Sequence, residues 1–204
     1  MDRTLYESHL RNLHSWAGHL EATIETAIPQ TIVELGPAGE ETPRDLRSAA
    51  ETLRDVARNL DDVMNAYDTL LESAGRPRRY DDFLQSIEVE SESPEANSDL
   101  ADDDFGPETP EINRVRFARL SGELQFDAGW LLGAIHGALV SHSEDTIDEH
   151  LDSLATGIEE LMISYDRLQD LIGVLPARHC AFVDHMVVLE EAGRRRTRDR
   201  RGRS

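Results

Sequence analysis

The chain has 204 residues, of which 39% are hydrophobic and 5% aromatic, enough for one large domain or two small ones. A core of Leu, Ile, Val and Ala favours helix-on-helix packing over a β-sandwich, whose strands draw on aromatic and β-branched residues. There are 41 acidic and 21 basic residues, for a net charge of −20. The single cysteine, Cys180, excludes an intramolecular disulfide and a thiolate cluster.

The basic residues are all Arg, and the sequence contains no Lys. A GC-rich genome favours Arg over Lys, and a salt-loaded cytoplasm favours an acidic surface because salt screens its self-repulsion. We therefore expect a halophilic or high-GC source. If the source is halophilic, the acidic surface is an adaptation to salt and says little about the function. The segment from Met1 to Leu5 lacks the apolar region of a signal peptide. The apolar stretch 128–140 is shorter than a transmembrane helix, so we predict a cytoplasmic protein without a membrane partner.

Two long helices are predicted in the first half of the chain. Apolar residues recur at steps of three and four, as on one buried helix face, at Tyr6, Leu10, Leu13, Ala17, Leu20, Ile24 and Ala27. A heptad pattern typical of antiparallel bundles follows at Leu46, Leu53, Leu60 and Tyr67, with Ala49, Val56, Val63 and Leu70 beside it. Pro43 suits the first position of the second helix, and Gly75 suits its end.

The second half repeats this organisation. One stripe consists of Phe117, Leu124, Leu131 and Ala138. The heptad pattern consists of Leu151, Ile158, Tyr165 and Ile172, with Leu154, Leu161, Leu168 and Leu175. Segments 60–70 and 158–168 match position by position, Gly18 aligns with Gly129, and Arg79 aligns with Arg178 before a short third helix. Such self-similarity indicates an internal repeat.

The predicted fold is therefore all-α: a pseudo-symmetric helical bundle from two tandem copies of a three-helix unit, long, long and short. The copies occupy residues 1–87 and 111–193. The acidic segment 88–110 between them is predicted to be a disordered linker, because it cannot bury enough apolar surface to order itself. The Arg-rich tail, 194–204, is predicted to be disordered as well.

A row of small residues suggests a close helix contact. Its members are Gly18, Ala22, Gly129, Gly133 and Gly137. A glycine inside a helix costs about 1 kcal/mol relative to Ala, so the row predicts a packing gain that offsets this cost. The favoured interpretation is packing of the two first helices within the monomer, and the alternative is a homodimer seam.

Two carboxylate pairs are candidate metal ligands. Asp68 and Glu72, and likewise Asp166 and Asp170, are four residues apart and share a helix face. Each pair lies in the last turns of its helix, where the macrodipole disfavours negative charge. Oxygen ligands of this kind suit a divalent cation, which is the single cofactor hypothesis. The alternative is chance pairing in an acidic chain.

The Arg-rich tail is a candidate nucleic-acid interface, because clustered arginines bind phosphates and release counterions. Its arginines are Arg194, Arg195, Arg196, Arg198, Arg200, Arg201 and Arg203. Alternatively, the tail folds back onto the acidic linker or has no role.

Two family resemblances add further hypotheses. The spacing of Arg178 and His185, with six residues between them, resembles that of HEPN-type ribonucleases, which are also helical bundles, and implies RNA cleavage by these two residues. Two tandem three-helix units resemble the layout of PhoU-type phosphate-signalling regulators. That family carries an acidic metal-binding pattern late in each third helix, and the sequence here, Leu189 to Gly193, departs from it.

The function predicted from these features is non-catalytic. We expect a helical scaffold, adaptor or regulatory protein that binds a protein partner or a second copy of itself through its helices. The alternatives are a nucleic-acid-associated protein that uses the tail, and a hydrolase that uses either the carboxylate pairs or Arg178 and His185.

Overall fold

A computed structural model describes residues 3–34, 43–91, 114–141, 146–172 and 178–187. The helices in these residues are α1 (Arg3–Glu34), α2 (Pro43–Ser73), α3 (Asp81–Ser91), α4 (Arg114–Ser141), α5 (Ile147–Gln169) and α6 (179–187). These described ranges contain no strand, which confirms the predicted all-α class. None of their helices is long and apolar enough to cross a membrane.

The four long helices form a bundle in which α1 lies against α2 and α4, and α5 lies against α4 and α2. Helices α1 and α4 are antiparallel. Gln125 donates a hydrogen bond to Glu25 at 3.4 Å, and farther along the pair the rings of His14 and His136 lie 6.2 Å apart. Between α2 and α5, the Tyr67 hydroxyl donates a buried hydrogen bond of 2.8 Å to the carbonyl of Leu151.

The predicted apolar stripes form the core of this bundle, because each faces the neighbouring helices and is buried there. One difference lies in α1, where Ala27 is half-buried and the buried positions are Ile28 and Thr31. A step of four residues from Ile24 stays closer to the buried face than a step of three. The predicted core residues Leu46 and Leu175 lie outside the residues whose side chains are described.

Helix α2 begins at Pro43 and ends just before Gly75, as the sequence predicts. Gly75 has a φ of 74°, the left-handed conformation that glycine adopts without steric cost. Its N–H donates to the carbonyl of Glu72, and the N–H of Arg76 donates to the carbonyl of Leu71, both at 2.9 Å. This is a Schellman motif, and it turns the chain back towards α3.

The short helices α3 and α6 meet through an aromatic cluster. The ring of Phe182 lies 5.1 Å from that of Tyr80 and 5.5 Å from that of Phe83, and Tyr67 of α2 extends the cluster at 6.0 Å from Tyr80. All four side chains are buried. Aromatic pairs at these distances stabilise a contact beyond their buried area, so the cluster joins the short helices of the two halves of the chain.

The structure describes only part of the segments for which boundaries were predicted. Helix α3 continues to Ser91, beyond the boundary placed at residue 87, so the first residues assigned to the linker are helical. The rest of the predicted linker and the tail 194–204 lie outside the described residues.

Candidate functional site

A row of exposed apolar and small residues runs along one side of α4. Phe126, Trp130 and Val140 are 72%, 45% and 75% exposed. Gly133 and Gly137 lie between them, and the spacing of three and four places all five residues on one helix face. The buried stripe of α4 occupies the opposite side of the helix, so this row faces away from the core. We call these five residues the α4 face.

The glycines of this face have open space where a side chain would stand. A Cβ built on Gly133 or Gly137 meets nothing within 4 Å, and the same is true of Gly18 on α1. A Cβ on Gly129 would lie 3.3 Å from Oε1 of Glu21, the end of a flexible side chain. The favoured prediction, a close contact between α1 and α4 at this row, is therefore wrong for Gly18, Gly133 and Gly137, which border open space, whereas Gly129 lies beside α1. Ala22 is exposed as well.

The part of α4 from residue 128 to residue 141 is uncharged, and the α4 face differs from the equivalent face of α1. Residues 128–141 contain no Asp, Glu, Arg or Lys, in a chain of which 30% is charged. With Gly18 aligned on Gly129, Ser15 and His19 correspond to Phe126 and Trp130. An amphipathic surface helix normally presents polar residues to solvent, as α1 does at Ser15 and His19 and α4 does not at Phe126 and Trp130.

Trp130 packs against the backbone of a glycine on the neighbouring helix. A Cβ on Gly157 of α5 would lie 2.6 Å from Cζ3 of Trp130, closer than carbon atoms approach without a clash. The indole therefore rests on the bare backbone of α5 at this point. The α4 face thus has a fixed aromatic anchor on an ordered scaffold.

A shallow groove of about 380 Å³ lies beside the N-terminal part of the α4 face. Its lining combines the apolar Phe126 and Gly122 with charged and polar residues, which are Arg119, Glu123, Asp127, Glu160, Ser164 and Arg167. Arg119 pairs with Glu123 at 2.5 Å, and Arg167 pairs with the same carboxylate at 3.5 Å. The positive charge of the two arginines is therefore compensated within the protein.

The repeated carboxylates Asp68 and Asp166 cap the short helices. Asp68 is 1% exposed and accepts hydrogen bonds from the backbone N–H groups of Arg79 at 2.8 Å and Tyr80 at 2.9 Å. Asp166 is 7% exposed and accepts from the N–H groups of Arg178 at 2.5 Å and Cys180 at 3.0 Å. Each carboxylate satisfies N–H groups that a helix N-terminus leaves without partners.

The members of the predicted carboxylate pairs therefore have different environments. Burial raises the pKa of the Asp68 carboxyl above its usual value, although its backbone hydrogen bonds act in the opposite direction. A hydrogen bond from Arg78, at 2.9 Å, lowers the pKa of Glu72. In the second pair, Asp170 is exposed whereas Asp166 is buried.

One group of described residues brings potential metal ligands together. Ligand atoms of Asp166, His179 and Cys180 lie within 4.8 Å of one another. Of these three, sequence reasoning identified Asp166 only. The other two begin α6, and their approach to Asp166 depends on how α6 returns to α5, which no local sequence pattern specifies.

Arg178 and His185, the pair that resembles the HEPN spacing, have separate partners. Arg178 is 8% exposed, and its guanidinium forms a bidentate ion pair with Asp61, both contacts at 3.1 Å. The ring of His185 lies 6.2 Å from that of Phe83. Arg178 thus joins α2 to the start of α6 and is engaged in a structural contact.

A cavity of about 560 Å³ opens between the end of α2 and the start of α5. Three arginines line it, and each has an acidic partner: Arg76 pairs with Asp148, Arg78 with Glu72 and Asp81, and Arg79 with Glu159. The positive charge of its wall is therefore compensated within the protein, and the cavity has no uncompensated anion site among these arginines.

The sequence does contain a pattern that indicates the α4 face, but the stronger apolar stripe of the buried side masks it. Phe126, Trp130 and Val140 form a second stripe with the glycines, visible when α4 is drawn as a helical wheel. The arginines of the tail and the segment from Leu189 to Gly193 lie outside the described residues. No protein-family model, no curated protein and no solved structure matches this chain.

Proposed function

We propose that the protein is a non-catalytic helical scaffold that associates with a second copy of itself through the α4 face. The observation that carries this proposal is the exposed row of Phe126, Trp130 and Val140 on an ordered helix. Exposed apolar patches of this kind mark interaction sites, and an amphipathic helix commonly binds its partner through its apolar face.

A second copy is the favoured occupant because the face is complementary to itself. Phe126 and Val140 are each seven residues from Gly133. If two α4 helices cross antiparallel at Gly133, then Phe126 lies opposite the partner's Val140 and Trp130 lies near the partner's Gly137. Phe126 and Val140 thus form an apolar contact at each end, the indole meets a glycine, and the two Gly133 residues allow close approach at the centre, as in small-residue helix pairs. A two-fold axis requires such self-complementarity.

Charge supports the same arrangement. In a chain with a net charge of −20, two copies repel each other unless their contact avoids acidic residues, and residues 128–141 carry none.

We further propose that the bundle consists of two copies of one three-helix unit. The matching caps by Asp68 and Asp166 support this proposal. So do two corresponding ion pairs, Arg79 with Glu159 and Arg178 with Asp61. Under this proposal the first copy keeps a polar first helix and the second has acquired the association face.

The test measures molar mass in solution by sedimentation and light scattering over a concentration series at high salt, after nuclease treatment. We expect a dimer for the wild type and a monomer for Gly133→Glu, since two carboxylates would then face each other at the centre. Gly133 is exposed, and a Cβ at this position meets nothing within 4 Å in the monomer. The matched control is Ala22→Glu, at the equivalent exposed position of α1, which should remain a dimer.

Three outcomes would overturn the proposal. They are a monomeric wild type at every concentration, a Gly133→Glu variant as dimeric as the wild type, and association that disappears when residues 194–204 are removed. The last result, or a mass that falls on nuclease treatment, would favour the predicted role of the arginine tail.

A further inference from the structure

Three chemically different ligands converge where α6 begins. Asp166 comes from the end of α5, and His179 and Cys180 come from the first turn of α6. Their ligand atoms, a carboxylate oxygen, an imidazole nitrogen and the thiol sulfur, lie within 4.8 Å of one another. A tetrahedral zinc site has ligand atoms roughly 3.3–3.8 Å apart, so small rotations of the side chains would complete one.

The group is organised by the capping contacts. The backbone N–H groups of Arg178 and Cys180 hold the Asp166 carboxylate at the N-terminus of α6. Each carboxylate oxygen has a second lone pair that remains able to bind a cation. Asp166 is buried, His179 is half-buried and Cys180 is exposed. The group is therefore fixed on its inner side and open to solvent on its outer side.

The charges around the group favour a cation. Asp166, Asp170 and Asp184 place negative charge around the Cys180 thiol. The same negative surroundings attract a divalent metal, which displaces the thiol proton.

We propose that Asp166, His179 and Cys180 bind one divalent transition metal ion of the Zn²⁺ class, with water as a fourth ligand. On binding, the Cys180 sulfur loses its proton to solvent and forms the metal–sulfur bond, and the net charge of the site rises by one unit. The mixed set of oxygen, nitrogen and sulfur donors suits Zn²⁺ or Co²⁺ and is unsuited to Mg²⁺ or Ca²⁺, which prefer oxygen alone.

The first half of the chain provides an internal comparison. With Arg79 aligned on Arg178, the positions that correspond to His179 and Cys180 are Tyr80 and Asp81. Asp68 caps α3 there as Asp166 caps α6, but imidazole and thiol are missing from these positions. Metal binding can therefore be tested separately from helix capping, because both carboxylates cap a helix and only Asp166 lies beside a histidine and a cysteine.

The experiment is a Co²⁺ titration of the full chain, purified with a chelator and kept in high salt with excess Mg²⁺ to saturate weak carboxylate sites. A thiolate bound to Co²⁺ gives a near-ultraviolet charge-transfer band, and tetrahedral Co²⁺ gives intense visible bands. We expect both bands to saturate at one equivalent and to disappear when Zn²⁺ is added.

Three variants assign the ligands. Cys180→Ser should lose the charge-transfer band, and His179→Gln should bind Co²⁺ at least tenfold more weakly, as losses around metal sites typically do. Asp81→Asn, at the position equivalent to Cys180, should behave as the wild type. Zn²⁺ should raise the melting temperature of the wild type and leave that of Cys180→Ser unchanged, because only a bound ligand stabilises the folded state.

The proposal is overturned if the wild type shows no charge-transfer band, or if Cys180→Ser and His179→Gln bind Co²⁺ as the wild type does. Binding of several equivalents without the band would indicate adsorption to the acidic surface and would also overturn it. These outcomes are independent of the oligomeric state, so they leave the proposed self-association unaffected.

Discussion

Replacing Asp68 with Ala tests the contact that connects α3 to the bundle. In the folded protein this carboxylate accepts the N–H groups of Arg79 at 2.8 Å and of Tyr80 at 2.9 Å. Tyr80 itself is fully buried, so water cannot readily replace the lost acceptor. The first turn of α3 would lose its cap, and the aromatic cluster of Tyr80, Phe83 and Phe182 would lose its support.

The expected cost follows from two opposing effects. Loss of a helix cap costs about 0.5–2 kcal/mol, and leaving a buried N–H without a partner costs about 1–3 kcal/mol. Removal of a buried negative charge offsets part of this, since burial raises the pKa of Asp68. We expect a net loss of about 2 kcal/mol in the free energy of unfolding. For a chain of this size that corresponds to a fall in melting temperature of roughly 4–8 °C.

The assay is urea unfolding followed by far-ultraviolet circular dichroism at constant high salt. Asp68→Asn keeps one oxygen acceptor and should lose less stability than Asp68→Ala. Asp82→Ala, an exposed acid in the first turn of α3, is the matched control and should stay within about 0.5 kcal/mol of the wild type. If Asp68→Ala also stays within that range, the carboxylate does not stabilise α3 and the reasoning is refuted.

Further predictions concern pH, an ion pair and a glycine. The folded-state pKa of Asp68 is raised, so its contribution to the free energy of unfolding falls as pH rises above the unfolded pKa near 4. As pH falls from 7 to 4, the wild type should therefore gain stability relative to Asp68→Asn. A relative loss of stability by the wild type over this range would contradict the prediction. A double-mutant cycle on Arg178 and Asp61, whose side chains are 9% and 25% exposed, should give a coupling energy of about 1–3 kcal/mol. The same cycle on the more exposed pair of Arg79 and Glu159 should give about 0–1 kcal/mol. Equal coupling energies would show that burial does not determine the strength of these ion pairs. Gly157→Ala should lower stability by about 1 kcal/mol, because the clash with Trp130 exceeds the gain in helix propensity. Gly133→Ala, measured in dilute monomer, should raise it by about 1 kcal/mol, and chemical denaturation that finds both variants stabilised would refute the assigned position of the indole.

The helices and their buried faces could be predicted from local patterns. The heptad positions from Ala49 to Leu70 are apolar at the spacing that one helix face requires, and they are buried. Pro43 and Gly75 mark the ends of α2 because proline fits the first turn and glycine fits the left-handed conformation. These signals are short-range, so they do not depend on the rest of the fold.

The roles of individual polar residues depended on contacts between distant segments. Asp68 and Asp166 were metal candidates by spacing along one helix, yet each accepts backbone hydrogen bonds from the start of another helix. His179 and Cys180 approach Asp166 only because α6 folds back onto α5. Spacing along a helix specifies which side chains share a face, and it does not specify what that face meets.

The sequence by itself determined that this protein is helical and which residues form its core, since a helix of period 3.6 buries whatever apolar stripe it carries. Only the tertiary structure decided which remaining faces stay exposed. The glycine row of α4 is the clearest case, because small residues suit either an internal contact or a surface seam. Its position opposite the buried stripe, where a Cβ built on Gly133 or Gly137 meets nothing within 4 Å, excludes the internal contact for these two glycines, because the packing of α1 and α5 against α4 leaves that side of the helix open.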